Sequence, residues 1–395
     1  RQRQMCIRDR RKGRVMRFEL DEEHEAFRKV VREFAEAEIA PHAATWDEAA
    51  VFPADAVRKM GELGLFALPF PEGIGGMGGD FTSLCVAIEE IGRVDQSLGI
   101  TLEAGVGLGI NPIYSFGTQQ QKDTYLPDLL AGKALAGFGL TEPEAGSDAG
   151  ATRTRADLDG DEWIINGSKA FITNAGTELT SLVTVTARTG EGEISTLIVP
   201  SGTAGFTVEP AYRKMGWHAS DTRGLVFENC RVPVDNLLGK RGRGFQQFLS
   251  ILDDGRIAIA ALAVGLTRAC LELSVEYANN RHTFGRPIGA NQGVAFQIAD
   301  LQVMADASRM LTYRAASLKD AGRPIRQAAA VAKLYATEAA VSATRIATQI
   351  HGGAGFMESS RVARLYRDAK VLEIGEGTSE IQRLVISRGL GLPVL

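Results

Sequence analysis

Cysteine is scarce in this chain. Cys6, Cys85, Cys230 and Cys270 are the four present in 395 residues, and they lie far apart. With no Cys-x-x-Cys and no paired-histidine spacing, they offer neither a zinc-ligand set nor a disulfide framework, so no metal is expected and the thiols read as reduced and mostly buried. Charge of one sign is also scarce: 44 Lys and Arg against 48 Asp and Glu leave a net charge of −4. That balance supplies no global basic field, so no nucleic-acid partner is expected. No apolar run reaches the roughly 18 residues of a membrane span, and no signal-peptide core precedes a small-residue cleavage site.

What is present is globular. The chain is 45% hydrophobic and 23% charged, and at ~100 to 200 residues per domain its length suggests two or three domains. Residues 1–15, RQRQMCIRDRRKGRV, are Arg-rich and lack hydrophobic periodicity. They read as a disordered leader or a gene-calling artefact; a transit peptide, also basic and poor in acids, stays open as an alternative, although this stretch lacks its serines and apolar face. Residues 16–134 read as an α-helical domain. After Asp21, a natural N-cap, Ala26, Phe27, Val30, Val31, Phe34 and Ile39 fall at helical spacing until Pro41, and further helices are expected over 53–63 and 81–93. Between them Gly73, Gly75 and Gly78 spell G-x-G-x-x-G, with Asp95 further on. Pro69 and Pro71 break the strand that a dinucleotide fingerprint requires, which makes this stretch a loop. Glu103, among Leu102, Val106 and Leu108, reads equally as a pocket residue or a surface residue.

Residues 135–236 change character to short β-type runs, at 136–140, 163–165, 169–173, 181–187, 196–199, 206–209 and 224–227, which predict a β-sandwich or barrel. Two stretches there are dense in hydrogen-bonding groups: Phe138-Gly-Leu-Thr-Glu-Pro-Glu-Ala-Gly-Ser-Asp148 and Asn166-Gly-Ser-Lys-Ala-Phe-Ile-Thr-Asn174. Turn chemistry alone would account for Gly146, Ser147, Asn166 and Gly167. Residues 237–395 return to helix, over 244–280, 292–321 and 324–350 with two shorter segments after them, and predict a four-helix bundle. The fold class is therefore α+β multidomain: helical, then β, then a helical bundle. Two helix ends, Arg281-His-Thr-Phe-Gly-Arg-Pro287 and Gln349-Ile-His-Gly-Gly-Ala-Gly-Phe356, have the composition of phosphate and flat-ring sites, although capping alone would also explain them.

Near the C-terminus, Gly375 and Gly377 flank Glu376 in a tight loop between apolar helical runs, with Thr378 placed to cap the next helix. The loop presents one carboxylate beside space for a flat ligand, or else it is a glycine-rich connector; alone it does not decide.

The motifs in order do decide. TEPEAGSD, INGSKAFITN, RHTFG, QIHGGAGF and EGTSEIQR together resemble the acyl-CoA dehydrogenase family from about Met16 to the C-terminus. The resemblance implies an FAD-binding homotetramer with an N-terminal helical domain, a middle β-barrel and a C-terminal four-helix bundle. It implies that the flavin ring lies against Phe138, Leu140, Thr141, Phe171, Ile172 and Thr173, with Gly146 in the same loop and Ser147 between cofactor and substrate. Arg281, Thr283, Phe284 and Gln292, with Gln349, Gly352 and Gly353 of a neighbouring subunit, are implied to hold the pyrophosphate and adenosine end, completed by Thr378 and Glu380. Asp253 and Arg256 would meet the CoA portion of the substrate, and Gly377 and Glu103 would line its acyl site.

The same likeness implies that Glu376 is the catalytic base, because a branch of the family carries its base at the position held here by Gly255. Phe171 stands where many relatives have Trp. The implied reaction removes the α-proton of an acyl-CoA to Glu376 and the β-hydride to flavin, giving a trans-2-enoyl-CoA, with electrons leaving to an electron-transfer flavoprotein. Related readings are an acyl-CoA oxidase, a dehydrogenase of carrier-protein or other acyl thioesters, and, from a different class, a non-catalytic FAD-binding DNA-associated or assembly protein of the same fold. The expected location is the bacterial cytoplasm, or the mitochondrial matrix in a eukaryote. A short to medium, or branched, acyl chain is expected.

Overall fold

The computed structural model describes residues 20–394, so the expectation for residues 1–15 lies outside the described residues. Asp21 caps the first helix, its carboxylate accepting the His24 N–H at 3.0 Å. Helix α1 (Glu22–Phe34) follows and continues through a π-helical turn, Ala35–Ile39, that ends before Pro41. Next come α2 (Ala43–Ala49) and α3 (Ala54–Glu62), then two 3₁₀ turns, Leu65–Ala67 and Glu72–Ile74. No strand enters Gly73, so the G-x-G-x-x-G stretch is a loop. Helices α4 (Phe81–Val94) and α5 (Gln96–Glu103) are buried along their length, and Asp95 is spent on capping α5 at the Leu98 N–H. A second π-helical stretch, Ala104–Ile110, then α6 (Asn111–Phe116) and α7 (Gln119–Leu130) complete the first helical part.

The middle part is one sheet made of β1 (Leu135–Gly139), β2 (Arg155–Asp159), β3 (Glu162–Thr173), β4 (Thr180–Gly190), β5 (Glu193–Pro200), β6 (Phe206–Val208), β7 (Thr222–Pro233) and β8 (Leu237–Leu238). Its order is β6-β7-β3-β2-β4-β5-β8, with β1 added in parallel to β4. Inward-facing Trp163, Ile165, Val183, Val185, Leu197, Val199, Leu225 and Phe227 form its own core.

Two expectations are corrected here. The runs at 163–165 and 169–173 are halves of the single strand β3, and Asn166-Gly167 is a bulge within it. Gly167 sits so close to Thr154 that an added Cβ would lie 2.6 Å from its Oγ1, which is the close backbone approach that a mid-strand glycine marks. Strand β2 escaped prediction because four of its five residues are exposed and three are charged, so it has no apolar alternation.

The C-terminal part begins with α8 (Gly244–Asn280), whose end leads into a small hairpin of β9 (His282–Thr283) and β10 (Arg286–Pro287). Then follow α9 (Gln292–Asp320), α10 (Arg326–His351), α11 (Gly353–Phe356), α12 (Arg361–Ala369) and α13 (Ser379–Gly389). Helices α8, α9 and α10 fill three positions of a four-helix bundle, and α12 and α13, broken by the Glu376 loop, fill the fourth. Ala329, Ala332, Ala336, Ala340, Ala343 and Ala347 give α10 a buried small-residue face that lets its neighbours approach closely. Among the described residues α8 alone has the length and apolarity to cross a membrane, but 78% of its most apolar window is buried inside the protein: it is the core helix of the bundle.

Helix α8 also binds the first helical part to the bundle. A Cβ on Gly265 would lie 2.3 Å from the Glu89 carbonyl oxygen, so α4 and α8 cross in near backbone contact. Buried Glu89 and Glu90 are neutralised there by Arg268, with Arg32 and Arg93 on Glu90 and the Tyr313 hydroxyl on Glu89. Asp320, at the end of α9, caps α4 from outside, accepting the Phe81 N–H at 2.8 Å, the Thr82 N–H at 3.1 Å and the Thr82 hydroxyl at 2.6 Å. Replacing Asp320 with alanine strands those donors, and a loss of about 1–3 kcal/mol is expected in urea unfolding; an unchanged midpoint would show that the cap carries no stability.

Candidate active site

The loop between α12 and α13 is built to hold one strained residue. The 3₁₀ turn Lys370–Glu373 runs into Gly375, whose N–H donates to the Val371 carbonyl at 2.8 Å, and Thr378 starts α13 by accepting the Ile381 N–H on its side chain. Between them Glu376 has φ +52°, left-handed backbone that a glutamate adopts only under constraint. The constraint is visible at the next peptide. The Gly377 carbonyl accepts from Lys333 Nζ at 2.9 Å and from Gln382 Nε2 at 2.8 Å. Lys333 is fully buried on α10, and sequence reasoning missed it. Its signal was the register Ala329, Lys333, Ala336, Ala340, which puts a lone lysine on the buried face of an alanine-rich helix.

This loop folds the Glu376 side chain inward over α8. A Cβ on Gly255 would lie 1.9 Å from Glu376 Oε2, so only glycine at that position leaves room for the carboxylate. Both carboxylate oxygens are sealed from solvent with no hydrogen-bond partner among the described residues, although the loop backbone is half-exposed. Glu103 faces it with both of its oxygens likewise buried and unpaired, at the junction of α5 with the π-helical stretch, where the Gly107 side is open enough for its carboxyl group. Burial pushes the Glu376 carboxyl up to about 7, against the lowering influence of the neighbouring Glu103 carboxyl group and the opposing charges of Lys333 and Arg256. Burial, then the nearby Glu376 carboxylate, holds Glu103 well above the usual range. Burial thus raises both carboxyl groups of the pair above the usual carboxylate range. The two open readings of Glu103 are thereby resolved: it is buried beside Glu376. Lys333, in turn, is drawn down to about 8 by burial, against Glu376.

Other predicted residues gather around the start of α8. Phe138 and Leu140, at the end of β1, pack on Phe248 and Ile251; Phe138 stacks on Phe248 at 3.8 Å, so its ring is engaged by α8. Thr141 is joined to β3 by the Ala170 N–H at 2.9 Å, and Ile172 is in the core while Thr173 is half-buried. Phe171 projects with 65% of its surface exposed and φ +62°. Asn174, left-handed as well, donates to the Thr101 carbonyl at 3.2 Å and so ties the end of β3 to the helix that carries Glu103. Gly146 and Ser147 lie exposed on the loop after β1. Arg256 is buried, pairs with Asp253, and leaves its Nε without a partner.

The remaining predicted residues lie elsewhere. From Gly255 to Arg281, α8 runs about 39 Å at helical rise. At that far end the stacked rings of Tyr277 and His351, 4.2 Å apart, bring the Arg281–Pro287 turn next to the turn after α10. Phe284 is 100% exposed with φ +51°, Gln292 and Gln349 are exposed, and Gly352 and Gly353 have nothing within 4 Å of a built Cβ. Thr378 and Glu380 stay with the Glu376 loop, so within one chain the two groups of residues are not brought together. Of the seven non-glycine residues with positive φ among those described, Phe171, Phe284 and Glu376 are three predicted site residues.

Family models for the N-terminal, middle and C-terminal domains of acyl-CoA dehydrogenase match residues 21–133, 137–230 and 242–391. The chain is 51% identical to the probable acyl-CoA dehydrogenase YngJ of Bacillus subtilis, over 95% of this chain and 100% of that one. Its structure is similar to butyryl-CoA dehydrogenase from Megasphaera elsdenii, with a TM-score of 0.92, 40% identity, and 95% and 100% of the two chains covered. It is also similar to a glutaryl-CoA dehydrogenase from Mycobacterium smegmatis in complex with FADH2, with a TM-score of 0.90, 31% identity, and 94% and 95% covered. The helical, β and helical-bundle architecture, the sealed carboxylate over Gly255 and these matches agree: the chain belongs to the acyl-CoA dehydrogenase family.

Proposed function

We propose that the chain dehydrogenates a short acyl-CoA thioester at its α and β carbons, with Glu376 as the base. The observation that carries this reading is the Glu376 carboxylate: dry, unpaired, set over Gly255 and pushed up to about 7. A thioester acidifies its α-C–H only modestly, so the base that removes that proton must be strong near neutral pH and aimed at one carbon. Partial desolvation supplies the first property, and the Lys333 and Gln382 clamp on Gly377 supplies the second. The Glu376 backbone N–H is the candidate donor to the thioester oxygen as negative charge develops there.

The residues present fit FAD. Phe171 offers an exposed aromatic wall at the end of β3, Thr141 and Thr173 offer hydroxyls beside it, and Gly146 leaves open space. Bound FAD supplies the acceptor for the substrate's β-hydride. Arg281, Thr283, Phe284 and Gln292, about 39 Å along the helix from Gly255, would serve the nucleotide end of a cofactor held by a neighbouring copy, with Gln349, Gly352 and Gly353. Fully exposed Phe284 and 82% exposed Phe356 suit such an assembly, which we read as a homotetramer. Asp253 and Arg256 would meet the CoA moiety, and an electron-transfer flavoprotein would accept the electrons. The similarity to a butyryl-CoA dehydrogenase favours a short acyl group, with Glu103, buried beside Glu376, as the residue at the floor of the acyl site.

Anaerobic mixing of the flavin-loaded enzyme with acyl-CoAs from butyryl to palmitoyl should bleach the visible flavin band fastest with the shortest chains. Glu376→Gln should slow that bleaching on the order of 10²- to 10⁴-fold while FAD remains bound; rapid bleaching by the variant would remove Glu376 from the chemistry. Because the base acts ionised, kcat/KM should rise as pH increases through about 7 and level off above it; a profile flat from pH 5 upward would contradict the raised carboxyl. Gly255→Ala should cut the rate up to about 100-fold by displacing the carboxylate from above α8. Full activity in that variant would mean that the carboxylate does not react from above Gly255.

A further inference from the structure

One buried charge in the sheet has no part in the chemistry above. Lys169, on β3, is completely buried, and its ammonium group reaches four acceptors: the Leu140 carbonyl at 3.3 Å, Glu142 Oε1 at 2.8 Å, and the hydroxyls of Thr152 at 3.0 Å and Thr186 at 3.1 Å. Glu142 is itself buried and accepts the Arg153 N–H at 2.6 Å, the Thr154 N–H at 3.0 Å and the Thr152 hydroxyl. Burial alone would raise Glu142, but the Lys169 ammonium overrides it and brings the carboxyl down to about 2. Burial in turn draws Lys169 down to about 8, against Glu142. A β-sheet core needs no such pair for stability, since matched apolar residues serve as well or better. Its contacts indicate another use.

The four acceptors come from the end of β1, the loop after it, and β4. The loop from Thr141 to Thr154 carries Gly146 and Ser147, and Glu142 pins both of its ends to Lys169. Two residues beyond Lys169 stands Phe171 in left-handed backbone, with a register shift against β7 between Lys169 and Ile172. Lys169 anchors one side of that strained turn and core-buried Ile172 the other. The Ala170 N–H to Thr141 carbonyl bond closes the link between the two segments.

We infer that Lys169, through its buried pair with Glu142, is a positioning residue for the flavin: it holds the Leu140–Thr141 and Phe171–Thr173 segments at the separation that grips the ring system. This rests on the FAD-binding reading above. The test is the rate at which free-flavin fluorescence grows when FAD-loaded enzyme is diluted, read beside the thermal midpoint. Lys169→Met should release FAD at least tenfold faster and melt earlier. The double variant Glu142→Gln with Lys169→Met has no uncompensated charge, so it should regain most of the thermal midpoint yet still release FAD tenfold faster. If the double variant regains both, the pair is only structural and the inference fails. Should Lys169→Met not fold, Thr186→Val removes one bond to the ammonium and should speed release severalfold; release at the wild-type rate overturns the inference. A wild-type protein that takes up no FAD at all would instead overturn the flavoprotein reading, and this inference with it.

Discussion

The structure depends on keeping one carboxylate dry. A buried, unpaired carboxylate is costly, and the protein meets that cost by holding Glu376 between opposing influences: burial, which raises its carboxyl, and the facing Glu103 carboxyl group with the positive charges of Lys333 and Arg256, which draw it back down. Either influence alone would defeat the purpose. A direct ion pair would leave Glu376 too weak a base for the proposed reaction, and isolation in an apolar site would keep it protonated.

Much of the architecture follows from that requirement. Helix α8 supplies the surface on which the carboxylate lies, and it must be glycine there. The same helix touches α4 through Gly265, bears Phe248 and Ile251 under the end of β1, and carries the Arg281 turn at its far end. The Glu376 loop breaks what would otherwise be the fourth helix of the bundle, so its backbone groups are satisfied by Lys333 and Gln382 in place of a helical ladder. Strain at Glu376 and Phe171 is held by buried charged groups on either side of the site, Lys333 for one and Lys169 for the other.

Much of this was legible in the residues. The apolar periodicity of α1 and α8, the Asp21 cap and the helical, β, helical order could be read directly, because each is local and repeats along the chain. The loop around Glu376 was legible as glycine, carboxylate, glycine, threonine. What escaped was non-local. Lys333 looks like a solvated helix lysine until its partner Gly377, 44 residues away, is in place. The pairing of Glu103 with Glu376 joins α5 to a loop near the other end of the chain, and no spacing rule reports it. Gly167 punctuates β3 as if ending it, since a bulge and a turn call for the same residue until Thr154 is seen against it.

The most direct test is to observe the two protons. In enzyme carrying ¹³C-labelled glutamate carboxyls, infrared titration from about pH 5 to about pH 9 would separate these groups from every aspartate and from glutamates that titrate in the ordinary range. The account predicts a glutamate carboxyl that titrates well above the ordinary range and vanishes in Glu103→Gln, with a second that titrates near 7 and vanishes in Glu376→Gln. A spectrum with no protonated glutamate at pH 7 would contradict it.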